Sequence, residues 1–177
     1  MSLAVRRRDA GGVGERLEFS STPNQQFRGV ELSSSNSASD VERYLELAQR
    51  YLVEGRGLVD RDPVQASEKL YKAAEETVKA LTSYFNLRDV LEAVEGRGRW
   101  TATDLSKAVR AISEKLGGWF TLSWDSAWAL YVWGFHEVKL DVDDVRVRMP
   151  FVERMVLEAR RIVEERRFKE PEHSHKI

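Results

Sequence analysis

The stretch Asp62–Leu87, DPVQASEKLYKAAEETVKALTSYFNL, constrains this chain more than any other. Leu70, Ala74, Val78, Leu81 and Phe85 recur at steps of four, four, three and four, which sets them on one stripe of an amphipathic α-helix. Glu68, Lys72, Glu75, Glu76 and Lys79 fall on the opposite face, with Glu68→Lys72 and Glu75→Lys79 in the favoured i,i+4 order. Asp62 is placed to cap this helix, and Pro63 takes the first helical position, where its missing N–H costs nothing. The apolar stripe must be covered, and the rest of the chain reads as the cover. Residue chemistry alone names no activity.

At 177 residues, with 42% hydrophobic and 32% charged side chains, the chain has the make-up of one soluble globular domain. A net charge of -1 gives no global attraction to nucleic acid or anionic lipid, so any such binding must be local. No apolar run approaches the roughly 18 to 20 residues that span a bilayer, and the first residues lack the apolar core of a signal peptide, so a cytoplasmic protein is expected. The absence of cysteine excludes disulfides, thiolate metal sites and cysteine nucleophiles. Twenty of the 28 basic residues are arginine, which with the missing cysteine points to a thermophilic host. No cofactor motif is present, and neither cofactor nor metal is expected.

Residues 1–38 carry Arg6, Arg7 and Arg8, a glycine group and a serine-rich run, with almost no periodic apolar pattern. They read as a disordered or loosely attached extension. A first helix is expected from Ser39 to Glu54, with Val41, Tyr44, Leu45, Ala48, Tyr51 and Leu52 inward and Gly55 and Gly57 as its end. A short connector then folds it antiparallel on the Asp62–Leu87 helix. One or two helical turns over Asp89–Val94 and a Gly96–Gly98 loop follow, then a helix Asp104–Leu116 capped by Thr103 and stopped by Gly117–Gly118. Arg97, Arg99 and Trp100 form a basic-aromatic patch that could stack a base or grip a phosphate, and the same composition serves equally to anchor a loop.

Residues 119–140 are the most aromatic part of the chain. Trp124, Trp128, Tyr131 and Phe135, four, three and four apart, form one stripe, which Phe120, Ala127 and Val138 widen while Trp133 points elsewhere. A helix apolar over so much of its circumference is expected to be covered nearly all round, either as a central helix or as one that also packs on a second chain. His136 and Glu137 close it and are the internal histidine-carboxylate candidates for acid-base chemistry. Neighbours on a helix point about 100° apart and cannot share a ligand, so a packed histidine bonded locally is the plainer reading. In the last segment Asp141 or Asp143 caps, Pro150 is expected to split a short turn from a long helix, and Val152, Met155, Val156, Ala159, Ile162 and Val163 face inward. Arg160→Glu164 and Arg161→Glu165 lace the outer face, and 170–177 reads as a flexible tail. With no period-two pattern of useful length, the expected fold is all-α: an antiparallel up-and-down four-helix bundle over 39–169 with a short additional helix.

The segment DPVQASEKLYKAAEETVKAL, followed later by WGFHEVKLDVDDVRVRMPFVERMVLEAR, resembles the archaeal PaREP family, the first of the numbered PaREP families, and through it the HEPN-like helical bundles. The likeness covers roughly 39–168. It implies a four-helix antiparallel bundle, frequently dimeric, without an established catalytic mechanism. Ribonucleases of the wider HEPN group use an arginine and a histidine with four to six residues between them near the start of the last helix. Here Arg146 and Arg148 stand near that place with no histidine after them, and Arg166, Arg167 and His173 have suitable spacing only past the last helix. The familial pair is therefore missing its imidazole.

Three functions follow. The first is a non-catalytic, homodimeric interaction module, with a nucleotidyltransferase-type protein as a further partner because HEPN-like bundles often accompany such enzymes. The second is a nucleic-acid or nucleotide binder using Arg97, Arg99, Trp100, Arg146 and Arg148. The third is a ribonuclease in which His136 replaces the familial histidine. The first is preferred.

Overall fold

The computed structural model describes residues 34–169. Most of the expected 1–38 extension and all of the expected tail lie outside the described residues. Six α-helices are present: α1 Ser34–Leu58, α2 Pro63–Tyr84, α3 Arg88–Arg97, α4 Ala102–Leu116, α5 Trp119–Ala129 with a π-helical extension Leu130–His136, and α6 Val142–Lys169. No strand occurs among the described residues. The described residues are all-α, as their periodicities require, and form six helices where four main ones and a short extra one were expected.

Helix α2 is the axis. Asp62 accepts a hydrogen bond from the Gln65 N–H at 3.0 Å and so caps it. Leu70, Ala74, Val78 and Leu81 are completely buried, and each leucine so placed is worth about 2–3 kcal/mol of transfer free energy. Ala66, Ala73, Thr77 and Ala80 are buried too, because the other five helices all contact α2. The two threonine hydroxyls on this helix donate to carbonyls four residues back, Thr77 to Ala73 at 2.8 Å and Thr82 to Val78 at 2.7 Å. The face expected to meet water is half-buried instead. Side-chain exposure is only 16% for Glu75 and 13% for both Glu76 and Lys79.

Helix α1 begins earlier than expected and runs straight through Gly55 and Gly57. Gly55 is a contact point, not a terminator: a Cβ there would stand 2.9 Å from Leu70 Cγ and 3.2 Å from the Leu70 backbone nitrogen. Glycine costs a helix roughly 1 kcal/mol against alanine, and here it lets α1 and α2 approach closely. Val41, Leu45, Ala48 and Leu52 fill the interface.

Helix α3 is longer than the one or two turns expected, includes Gly96, and stops where Gly98 turns left-handed. Helix α4 is capped by Thr101 and not by Thr103. Asp104 explains the shift: the Thr101 hydroxyl accepts from the Asp104 N–H while the Asp104 carboxylate accepts from the Thr101 N–H, a reciprocal capping box. Leu105, Ala108, Val109 and Ile112 are buried, and Gly117 ends the helix at φ +99.

The aromatic helix closes at His136, with Glu137 as its cap, where the sequence places its end. Val138 adopts φ +52 and is exposed, so it does not widen the aromatic stripe. In the π-helical turn the Glu137 N–H reaches back five residues to the Val132 carbonyl at 2.9 Å. Helix α6 is continuous through Pro150, which therefore divides nothing. Buried Val145 before the proline and buried Val152 and Met155 after it hold both sides on the same core. Asp141 caps it, accepting from the Asp144 N–H at 2.8 Å.

Contacts fix the relative directions. The connector 59–62 turns α2 back on α1. Trp124 and Tyr131 on α5 and its extension meet Tyr71, and Gly134 meets Ser67, so this helix runs opposite to α2. Arg146 pairs with Asp60 at 2.6 Å near the start of α2, and Tyr84 near its end donates to the Ile162 carbonyl at 3.3 Å, so α6 runs along α2 in the same sense.

Candidate functional site

Two surfaces concentrate the chemistry. The first lies where the π-helical turn crosses α2. Gly134 permits the crossing, since a Cβ on it would stand 2.3 Å from Ser67 Oγ. That contact lays Tyr131 on Tyr71, stacked at 4.3 Å, with Trp124 at 5.9 Å and Trp128 at 6.2 Å from the same Tyr71 ring. The Tyr71 hydroxyl is buried with no hydrogen-bond partner among the described residues. Burial, the nearby Glu75 charge and Tyr131 hold it far above the ordinary phenol range, and burial followed by Glu75 raises Tyr131 as well. Beside them Lys79 bonds both Glu75 at 2.7 Å and Glu76 at 2.8 Å. Burial alone would lower the Lys79 ammonium; the two carboxylates reverse this and raise it. Burial likewise raises Glu76, against the pull of Lys79.

His136 stands at the outer edge of this cluster. Its ring meets Tyr131 edge-on at 4.4 Å and Phe135 at 5.0 Å, yet the residue is exposed, which corrects the buried or half-buried packing position expected from sequence. Glu137 is exposed too and pairs with Lys139 at 3.2 Å. Of the aromatic stripe, Trp124 and Tyr131 are buried, while Trp128 and Phe135 are half-buried.

The basic candidates do not come together. Arg97 is bonded to the buried Asp104 carboxylate, Arg99 is exposed, and half-buried Trp100 packs against the core. Arg146 is held by Asp60 at 2.6 Å and Asp143 at 2.8 Å, and Arg148 by the carbonyl of Asp144 at 2.7 Å and its carboxylate at 3.4 Å. Helices α3 and α6 make no contact with each other. These arginines form two separate, largely self-neutralised groups. Among the described residues no cluster of three or more histidine, aspartate or glutamate side chains could hold a metal, and no helix is long and apolar enough to cross a membrane.

The second surface was missed by attention to the inward stripe. Leu122, Ser126, Ala129 and Trp133, again four, three and four apart, form an outward stripe on α5 and its extension. Leu122 is 64% and Trp133 52% exposed, so the near-complete burial expected of this helix does not occur. On neighbouring α6, Val147 and Phe151 are exposed as well, at 62% and 44%. A shallow groove between α5 and α6 is lined by Leu122, Asp125, Ser126, Ala129, Arg148 and Phe151. A second groove, between α4 and α5, includes Arg110, Asp125 and Trp128.

An all-α architecture with an arginine-rich but self-paired surface defines a class of helical domain, not a reaction. The sequence profile of the archaeal PaREP1/PaREP8 family matches residues 43–156. The chain belongs to this archaeal PaREP1/PaREP8 family. It is similar to a Sulfolobus solfataricus protein of known crystal structure, at 35% identity over 73% of this chain and 96% of that one, with a TM-score of 0.54. A solution structure of the same target, the Orf c02003 protein, is similar at 33% identity over 77% of this chain and 96% of that one, with a TM-score of 0.53. No curated protein matches the chain.

Proposed function

We propose that this chain is a non-catalytic helical interaction module that acts as a homodimer in the cytoplasm of a thermophilic archaeon, with a nucleotidyltransferase-type protein as a further partner. The observation that carries the reading is the exposed apolar strip of Leu122, Trp133, Val147 and Phe151 on adjoining helices. Apolar surface gathered in this way is a mark of association. The HEPN-like four-helix description fits α1, α2, α5 with its extension, and α6, which alternate in direction, with α3 and α4 inserted between the second and third. Sedimentation equilibrium at micromolar concentration tests the reading: a dimer is expected, and a clean monomer rejects homodimerisation.

The nucleic-acid reading is disfavoured because Arg97, Arg146 and Arg148 already hold carboxylates of their own chain, which offsets the charge that phosphates would meet. The ribonuclease reading retains one specific support, the exposed imidazole of His136 beside Tyr131. Incubation of wild type and His136→Ala with a mixed RNA pool and chelator decides it. The module reading expects intact RNA in both, whereas cleavage by wild type alone would make the chain an enzyme.

A further inference from the structure

The grooves on either side of α5 share one residue, Asp125, which stands on the ridge between them. Each outer wall carries an arginine: Arg148 on α6 and Arg110 on α4. The acid is therefore on the projecting element and the bases are on the receiving walls. A surface so arranged is self-complementary about a two-fold axis, because the ridge of each copy can seat in the groove of the other, acid to base both ways. Resting on the homodimer reading above, we propose that the dimer is built by the α5 ridge of one copy seating in the α5–α6 groove of the second, with Asp125 of each chain paired to Arg148 of the other.

The choice of the α5–α6 groove follows from its walls. Leu122 and Phe151 are exposed there, and Val147 continues the apolar strip along α6. Ser126 and Ala129 are small and permit a second helix to approach closely. Both of Arg148's hydrogen bonds within its own chain leave from Nη1, so Nε and Nη2 remain to meet an incoming carboxylate. The pairing forms in a setting that loses water as the apolar residues close over it, where truncating or reversing one charge is costly. The apolar lining of the α4–α5 groove is buried Val109 and Trp124 and half-buried Trp128, and none of the exposed large apolar side chains stands in it.

Sedimentation equilibrium on four charge variants beside wild type tests this, with circular dichroism and thermal melting to confirm that each is folded. Asp125→Arg and Arg148→Asp should each raise the dimer dissociation constant at least tenfold, and the double variant Asp125→Arg/Arg148→Asp should recover most of the loss. Arg110→Asp should leave the constant within about twofold of wild type. A dimer insensitive to both Asp125→Arg and Arg148→Asp overturns the assigned surface while the homodimer reading stands. Loss of the dimer in Arg110→Asp but not in Arg148→Asp moves the interface to the other groove and also overturns it. A wild-type monomer removes the homodimer reading and this surface together.

Discussion

Ser67 and Gly134 are so close that position 134 has no room for a methyl group: a Cβ there would sit 2.3 Å from Ser67 Oγ and 2.6 Å from Ser67 Cβ. Ser67 is buried and donates to the Pro63 carbonyl at 2.7 Å, so its hydroxyl is not free to swing aside. This contact sets how deeply the π-helical turn lies on α2, and the Tyr71–Tyr131 stack follows from it.

Gly134→Ala should therefore destabilise the protein by about 2 kcal/mol, within the range for overpacked sites. Urea denaturation measures it. Ser67→Gly added to Gly134→Ala should recover part of the loss, and strict additivity of the two changes would show that the residues do not interact.

Lys79→Met removes the ammonium that bonds both of the half-buried carboxylates, Glu75 and Glu76. A loss of about 2 kcal/mol is expected at neutral pH, from the magnitude of hydrogen bonds to charged groups. Because the folded-state pKa of Lys79 is raised, its contribution is complete below the unfolded value, about 10.4, and declines as pH rises through the folded value. Wild type should lose stability in that alkaline window, and Lys79→Met should show less of this decline.

Asp104 gives the opposite sign. Burial would raise its carboxyl, but hydrogen bonds from the Thr101 hydroxyl, from Arg97 and from the Thr101 N–H outweigh burial and lower it. Its contribution is present above the unfolded value, about 3.9, and vanishes as pH falls through the lower folded value. Asp104→Asn should cost about 1–2 kcal/mol at pH 7, at the upper end for capping losses, and should flatten the acid limb of the stability curve. Acid limbs of equal slope in the two proteins would contradict this.

Pro150→Ala should stabilise, because it restores an N–H to the Arg146 carbonyl and removes a ring from the interior of α6. The ceiling is about 3 kcal/mol, the difference between proline and alanine in a helix interior. A denaturation midpoint no higher than wild type would count against a strained proline.

Much of this fold was legible in spacing. Val41, Leu45, Ala48 and Leu52 on α1 and Leu70, Ala74, Val78 and Leu81 on α2 are buried as their periodicity selects, although α2 also buries Ala66, Tyr71, Ala73, Thr77 and Ala80 beyond its stripe, and Asp62, Pro63 and Gly117 mark the boundaries they should. Some differences arise where tertiary contact overrides local preference, and others from local bonding that spacing alone does not show. Gly55 looked like a stop because the closeness of Leu70 is invisible in sequence. Pro150 looked like a break because nothing local reveals a core continuous on both sides of it. Thr103 has the residue type of a cap, but the T-x-x-D spacing of Thr101 and Asp104 carries the reciprocal bonds that set the start of α4 two residues earlier. His136 looked packed because a π-helical turn, which changes which side chains face inward, leaves no clear sequence mark. The outward stripe Leu122–Ser126–Ala129–Trp133 was readable by the same spacing as the inward one and was overshadowed by its bulkier neighbours.

The central position of α2 also has a kinetic consequence. Helix α1 is joined to it by a four-residue connector, so that pair can zip together at little loop-closure cost. Helix α6 must return to the same axis from across the whole intervening chain, and the Tyr84–Ile162 contact bridges 78 positions. Assembly should begin at the α1–α2 hairpin, and seating the far end of α6 should close the molecule late, on the slow side of the barrier that sequence separation sets.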